Sequence, residues 1–521
     1  MNLLTHTPAL IIAIPLLAAF LMPVIGRINK KTNGIFTTFA LGISLILTIL
    51  LAFKILSVGT QVYVFGAKSP VLTLPSGLEF PIRIMFQIDA MSIFMGLITA
   101  TVSFLGAIFS LSFMDKHNGL DKYYSLLLLL TVGMFGMEFT GDVFNFFVFL
   151  EIASIAAVAL IAFRGTDLGE PAEAGFKYMV VSSISALMVL FAVGIFYGQY
   201  DLLNFAALAS VIKYSQLDKI ALGLLIPVLA MKAGAVPMHM WAPDAYSEAP
   251  APITMILVVA SQASLYALFR VTFSLYNITL NTLAVGWIII ILGLLSMFMG
   301  VTMAIIQKDI KRLMAYHAIS QTGYMFLGVG VGLAVLANPI SLSQYGITAM
   351  EGGIFHIMNH AMYKGLLFLT AGALFYRTGT KDLDKMGGLA HSMKYTTIFF
   401  IIGAAAIAGL PPFNGFASKL LIYESVYRFN PLLSIIAMLV SILTLASFVK
   451  AFHSAFLGPK LPQFKEVREV PRSMVWAMAV LSCIIIFFGL FPDLIVKNLV
   501  HPAVMALIEQ FKYTGTVLGG I

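Results

Sequence analysis

Charge is scarce in this chain, and cysteine is scarcer. Only 10% of the 521 residues are Asp, Glu, Lys or Arg and 60% are hydrophobic, whereas a soluble domain carries roughly 25% charge. So few charges cannot clothe a chain of this size in a polar surface, and a water-soluble fold is excluded. The single cysteine, Cys483, lies in an apolar run, which rules out a disulfide framework and a thiolate metal site. HExxH, GxSxG and Walker A motifs are missing as well, so the sequence offers no zincin, serine-hydrolase or nucleotide site. No cofactor is expected. Iron–sulfur or nickel ligands are not present, and any electron chemistry must belong to other chains.

What is present is a succession of apolar runs about 20 residues long, each enough to cross a bilayer. With a mean hydropathy of +0.97, the chain reads as an all-α polytopic membrane protein of about fourteen spans. They lie near 8–26, 34–55, 89–113, 123–140, 143–164, 175–199, 219–241, 252–275, 281–306, 313–334, 346–376, 394–426, 431–457 and 473–491. The first run lacks a basic n-region and a small-residue cleavage site, so it reads as a retained span. The net charge of +8 is compatible with nucleic acid, but the basic residues sit in short loops, as orientation by positive charge requires. Loops after odd-numbered spans hold most of them, including Arg27, Lys308, Lys311, Arg312, Lys381 and Arg472. That places the odd loops in the cytoplasm of a prokaryotic cell and both termini outside; the acidic loop after span 7 is the exception. Between Val58 and Ile88, apolar and polar residues alternate around Pro70, Pro75, Ser76 and Gly77, which predicts a β-hairpin. Asp201 to Ser215 is too short to span and should lie along the surface, and His501 to Lys512 reads as a short amphipathic helix.

Ionisable residues inside the spans mark where function resides, because a charge in hydrocarbon is expensive. Lys232 falls near the middle of span 7, just before Pro237, and Glu151 near the middle of span 5. Two opposite charges at that depth are expected to pair; the plainer alternative is an ion pair that only fixes helix packing. Span 12 repeats the theme, with Pro411 and Pro412 interrupting it before Lys419. Spans 7 and 12 are an odd number of spans apart, so spans 4–8 and 9–13 would form an inverted repeat of the kind in which broken helices line a midplane ion site. In span 11, His356, His360 and Lys364 recur at i, i+4, i+8 and share one helix face. Histidine exchanges protons through either nitrogen, so this stripe suits a water-bridged relay, which His317, Ser320 and Gln321 of span 10 would extend. Two histidines at this spacing also fit a metal, but no third ligand is evident.

Five runs now carry a resemblance: FNFFVFLEIASIAA, MKAGAVPMHMWAPDAYSEAPAP, QKDIKRLMAYHAISQTGYMFLG, FHIMNHAMYKGLLFLTAG and GLPPFNGFASKLLI. Together, in this order and over nearly the whole chain, they resemble the antiporter-like membrane subunits. That family includes the D-type subunit of Mrp-type cation/proton antiporters, the related subunits of membrane-bound hydrogenases and sulfane reductases, and the L, M and N subunits of complex I. The wording of span 5 is closest to the Mrp D-type subunit and its archaeal hydrogenase-type relatives. The resemblance implies a fourteen-helix fold with two inverted five-helix repeats and broken helices 7 and 12. It implies translocation of protons, or of protons and Na⁺, through Glu151, Lys232, His356, His360, Lys364 and Lys419, within a multisubunit membrane complex. Asp89, in FQIDAMSIF, sits where relatives carry an aspartate before helix 3. The corresponding division of the chain is 1–122 for helices 1–3 with the hairpin loop, 123–275 and 281–457 for the two repeats, and 458–521 for helix 14 and its tail.

The sequence departs from the family's pattern in span 8. Relatives place a lysine or histidine there to link the two half-channels, whereas this chain offers Ser261, Gln262 and Ser264, which hold water but do not titrate. The chain also ends soon after span 14, without the lateral arm of the L-type subunit. Three other readings remain: a subunit that couples or scaffolds without pumping, a solute carrier of the major-facilitator type, which would have twelve spans, and an intramembrane enzyme, for which no motif exists. The glycines Gly328, Gly330 and Gly332 in span 10 read as close helix packing rather than a nucleotide loop.

Overall fold

The computed structural model describes residues 5–27, 29–66, 72–73, 79–80, 84–164 and 170–518. The apolar runs form helices because, in hydrocarbon, a backbone must bond within its own segment. The helices are α1 (Thr7–Ile25), α2 (Lys30–Val58), α3 (Ala90–Phe113), α4 (Leu120–Phe139), α5 (Val143–Ile161), α6 (Glu170–Tyr200), α7 (Phe205–Val211), α8 (Gln216–Lys232), α9 (Trp241–Glu248) and α10 (Ala251–Phe269). They continue with α11 (Thr282–Ile305), α12 (Ile310–Ala334), α13 (Ile347–Thr378), α14 (Lys394–Ala408), α15 (Asn414–Phe429), α16 (Pro431–Phe456), α17 (Arg472–Leu490), α18 (His501–Ile508) and α19 (Gln510–Leu518). Among the described residues nine helices are long and apolar enough to cross a membrane, or ten if the bent C-terminal pair counts as one. The protein is therefore a mostly helical, polytopic integral membrane protein.

α12 and α13 are not among the nine. Both are buried over almost their whole length, so they are shielded from lipid and tolerate the histidines and lysines that an exposed span could not. Small residues make this possible. A Cβ on Gly328 would stand 2.5 Å from the Ala349 carbonyl oxygen of α13, and one on Gly330 would stand 2.9 Å from Ile290 of α11. The glycine run serves close packing on two sides of α12, as its sequence suggested.

One membrane face carries the β-structure. β1 (Gln61–Val64) pairs antiparallel with β4 (Met85–Ile88), Gln61 opposite Ile88 and Val64 opposite Met85, and β2 (Leu72–Thr73) pairs with β3 (Glu79–Phe80). This is the expected hairpin; Pro70, Pro75, Ser76 and Gly77 lie outside the described residues. A bridge from Phe86 to Thr140 pins the hairpin to the end of α4. α7 forms where a surface helix was expected, but Phe205, Ala206, Ala207 and Leu208 are buried. α19 folds back over it, bent by 75° from the preceding helical segment. The tail helix accordingly stops at Ile508 instead of running on to Lys512.

Two spans are broken. α8 ends at Lys232, and the chain turns through Gly234 (φ 82°) before resuming as α9, so the break begins before Pro237. Its freed backbone groups are bonded again: Trp241 Nε1 donates to the Met231 carbonyl (2.9 Å), and Val236 N donates to Ser296 Oγ (3.0 Å). Span 12 divides into α14 and α15, separated by Gly409 (φ 78°) and the Pro411–Pro412 pair.

Candidate functional site

Lys232 is the last residue of α8 and only 4% exposed. Its ammonium meets Ser154 Oγ of α5 at 2.8 Å, Ser182 Oγ of α6 at 3.0 Å and, more weakly, the Tyr178 hydroxyl at 3.4 Å. An ammonium has three N–H donors, and three hydroxyls take them. The expected contact pair with Glu151 is therefore absent. Glu151 lies one turn before Ser154 on α5, within electrostatic reach of Lys232, with Oε1 buried and unpartnered.

The second group gathers where α12, α13, α15 and α16 meet. His356 faces Ser418 Oγ through Nδ1 (2.9 Å) and the Tyr363 hydroxyl through Nε2 (3.0 Å), with Gln321 Oε1 farther off at 3.3 Å. Lys364 donates to the Met314 carbonyl at 2.6 Å. Lys419 donates to the Ile407 carbonyl (2.8 Å) and Ser441 Oγ (2.9 Å), over the Tyr324 ring. It thus caps the C-terminal end of α14, whose last carbonyls lack helical partners. His317 does not prolong the line from His356, as expected, but bonds Ser447 of α16 at 2.7 Å. The i, i+4, i+8 stripe thus shares a face of α13, but each member has its own hydrogen-bond partners: His356 on α15 and α12, His360 on α10 and Lys364 on α12.

The two groups approach one another at span 8. Gln262 Nε2 lies 2.7 Å from His360 Nδ1 and 3.0 Å from the Ile357 carbonyl. A carbonyl only accepts, so this atom must be the amide nitrogen, and His360 Nδ1 is an acceptor with its proton on Nε2. Ser261 bonds the Tyr246 hydroxyl at 2.5 Å, while Ser264 is buried without joining this line. From Lys232 to Ser261 the connection runs through edge-on rings, Tyr178 to Trp241 to Tyr246, rather than through hydrogen bonds among the described residues.

Charged groups outside the expected relay complete the site. Asp244 and Glu248, read from the sequence as an acidic loop, lie one turn apart on α9. Asp244 binds Lys177 (2.8 Å) and Arg312 (2.7 Å), and Glu248 binds Lys381 (2.7 Å). They line an open cavity of about 430 Å³ on the face opposite the hairpin. Asp89 caps α3 and pairs with Arg270 at the start of a π-helical turn, Arg270–Tyr276, that prolongs α10. A lone arginine in ALFRVTF was the available signal. Among the described residues no cluster of His, Cys, Asp and Glu is arranged to hold a metal ion.

Fold and site together define an antiporter-like membrane subunit with isolated ammonium and imidazole groups inside the bundle. Residues 140–444 match the family described as NADH:quinone oxidoreductase/Mrp antiporter, and residues 75–124 match the complex I chain 5 N-terminus. The chain belongs to the NADH:quinone oxidoreductase/Mrp antiporter family. It is 30% identical to the N subunit of NADH-quinone oxidoreductase from Desulforudis audaxviator over 96% of this chain and 98% of that one. It is 29% identical to the D-type Na(+)/H(+) antiporter subunit of Bacillus subtilis over 97% and 98%. Among solved structures, a chain of the membrane-bound sulfane sulfur reductase, an archaeal respiratory complex, superposes with a TM-score of 0.85 at 30% identity, covering 98% of this chain and 100% of that one.

Proposed function

We propose that this chain translocates protons as one subunit of a multisubunit complex in a prokaryotic cell membrane, with Na⁺ a second candidate cargo. The observation that supports this most is the surroundings of Lys232, Lys364 and Lys419. Each is buried inside the bundle and bound by hydroxyl or carbonyl oxygens, with no carboxylate in contact. A contact ion pair would hold a buried lysine in its charged form. One held by neutral oxygens is free to take up or release its proton as a neighbouring charge comes and goes.

In this reading the fold is fourteen helices, with spans 4–8 and 9–13 as inverted repeats and both termini outside; the division at 122, 275 and 457 follows it. Glu151 acts on Lys232 at a distance, the cavity at Asp244 and Glu248 admits ions from the cytoplasm, and His356, His360, Lys364 and Lys419 carry the second half of the path. Ser261 lies at the junction through Tyr246, while His317, bonded to Ser447, and Ser264 stand beside the path rather than on it.

A second reading, a subunit that transmits motion without pumping, is favoured by Gln262, since an amide does not titrate at the point where the halves meet. One experiment separates the two. The assembled complex, reconstituted in vesicles with a pH-sensitive dye, should lose proton transport with Lys232→Ala and change its pH dependence with Gln262→Lys. Full transport by the K232A complex would leave only the non-pumping reading.

A further inference from the structure

A carboxyl that this relay does not use is buried at the hairpin-face end of α4. Glu138 is 0% exposed. Its Oε1 accepts from Thr99 Oγ1 of α3 at 2.6 Å, and Oε2 has no partner. No cation among the described residues balances it. Of the elements packed on α4, α1 and β4 have no Asp, Glu, Lys, Arg or His. α2 brings Lys54, at the rim of a separate cavity beside His6, and Lys30 and Lys31 at its other end. α5 brings Glu151. α10 brings Tyr266 and Arg270, and that guanidinium is already engaged by Asp89 of the α3 cap. On α4 itself, Asp121 and Lys122 stand at the far end. One hydroxyl cannot support an ionised carboxylate in a site closed to water, so the group stays neutral by keeping a proton.

The site is sealed from lipid but joined to the hairpin face. The Tyr266 hydroxyl donates to the main-chain carbonyl oxygen of Glu138 (2.8 Å), beside its carboxyl rather than to it, and lies 3.0 Å from Ser92 Oγ. Arg270 donates to that same Ser92 and pairs with Asp89. Asp89, its Oδ2 unpartnered, borders a cavity of about 260 Å³ together with Glu509 and Lys512. Ser92 and Thr99 are seven residues apart, two turns of α3, and so share a face.

From this geometry we infer that Glu138 is a proton-binding acid on the hairpin face, exchanging its proton with the cavity at Asp89 past Thr99, Ser92 and Tyr266. Only a proton moves. Its place in turnover rests on the proposed function; its existence does not.

Infrared spectroscopy of the intact chain in lipid at neutral pH tests it. The wild type should show a protonated-carboxyl C=O band that the isosteric Glu138→Gln removes. Thr99→Val should move the band to higher frequency, since a hydrogen bond to the carbonyl is lost. Transfer to D₂O should shift the band downward, several-fold more slowly in Tyr266→Phe. Identical wild-type and E138Q spectra, or a band that never exchanges in D₂O, would overturn the inference. The band should survive in Lys232→Ala, so failure of the relay and failure of this site are read separately.

Discussion

At Lys232 the decisive fact is which oxygens surround the ammonium. Ser154 and Ser182 supply the two short contacts and Tyr178 the long one, so the two serines should matter most. Replacing both by alanine leaves two buried N–H donors without acceptors, at about 1–3 kcal/mol each. The expected outcome is a lower melting temperature for S154A/S182A and a shifted pH profile of transport, with Tyr178→Phe close to wild type on both. Equal effects from the three single changes would show that the hydroxyl cradle is not what positions the lysine. Asp142, outside the spans at the start of α5, gives a second residue-scale test. Burial pushes its carboxyl up from 3.8 to about 6, against hydrogen bonds from Asn145 and Phe144 that hold it down. A raised folded-state value means that the ionised form is penalised by folding. The penalty is absent below 3.8, grows as pH rises through this window and is constant above about 6. Asn caps a helix as well as Asp does, so Asp142→Asn should gain in melting temperature over the wild type as pH rises from 4 to 6. A difference that is flat across that range would remove the argument.

Among the elements, the π-helical end of α10 is where the C-terminal tail takes hold. Gln510 donates to the Ser274 and Leu275 carbonyls (3.0 and 3.1 Å), and Arg270 lies between the Tyr266 and Tyr513 rings. A π-turn leaves carbonyls out of regular register, and the tail's amide satisfies two of them. Asp89, meanwhile, bonds the first turn of α3 through Met91 N and Ser92 N and also holds Arg270. Removing one partner of a buried pair costs about 3–5 kcal/mol, whereas replacing both by apolar groups is often neutral. Asp89→Leu alone should therefore destabilise strongly, while adding Arg270→Met should restore much of the loss. Thermal denaturation of the two variants decides the point, and additive losses would count against a coupled pair.

For the whole molecule the open quantity is orientation. Cys483 is the only cysteine and is exposed on α17, so a Cys483→Ser background allows single-cysteine labelling. Lys308→Cys, on the face opposite the hairpin, should react with an impermeant maleimide only from the cytoplasm, and Lys512→Cys only from outside. The reverse pattern would invert the proposed topology. At the same scale, the burial of α12 and α13 explains why the titratable groups concentrate there. Surrounding helices take the lipid contact, and α6, α11 and α16 turn out exposed residues such as Phe191, Phe298 and Ile442.

The sequence by itself determined that the chain crosses the membrane many times, that the helical stretches around Pro237 and Pro411–Pro412 are interrupted, and that Lys232, Lys364 and Lys419 lie in otherwise apolar segments. Hydropathy, proline and isolated charge are local properties, legible in one dimension. Partners are not local. That Ser154 and Ser182 rather than Glu151 meet Lys232, that Gln262 fixes the proton of His360, and that Arg270 belongs to Asp89 depend on side chains up to 181 residues apart reaching within hydrogen-bonding distance. Only the packing of one helix against another settles which of several buried polar groups satisfies which, since in a water-excluded interior each donor takes the nearest acceptor that geometry allows.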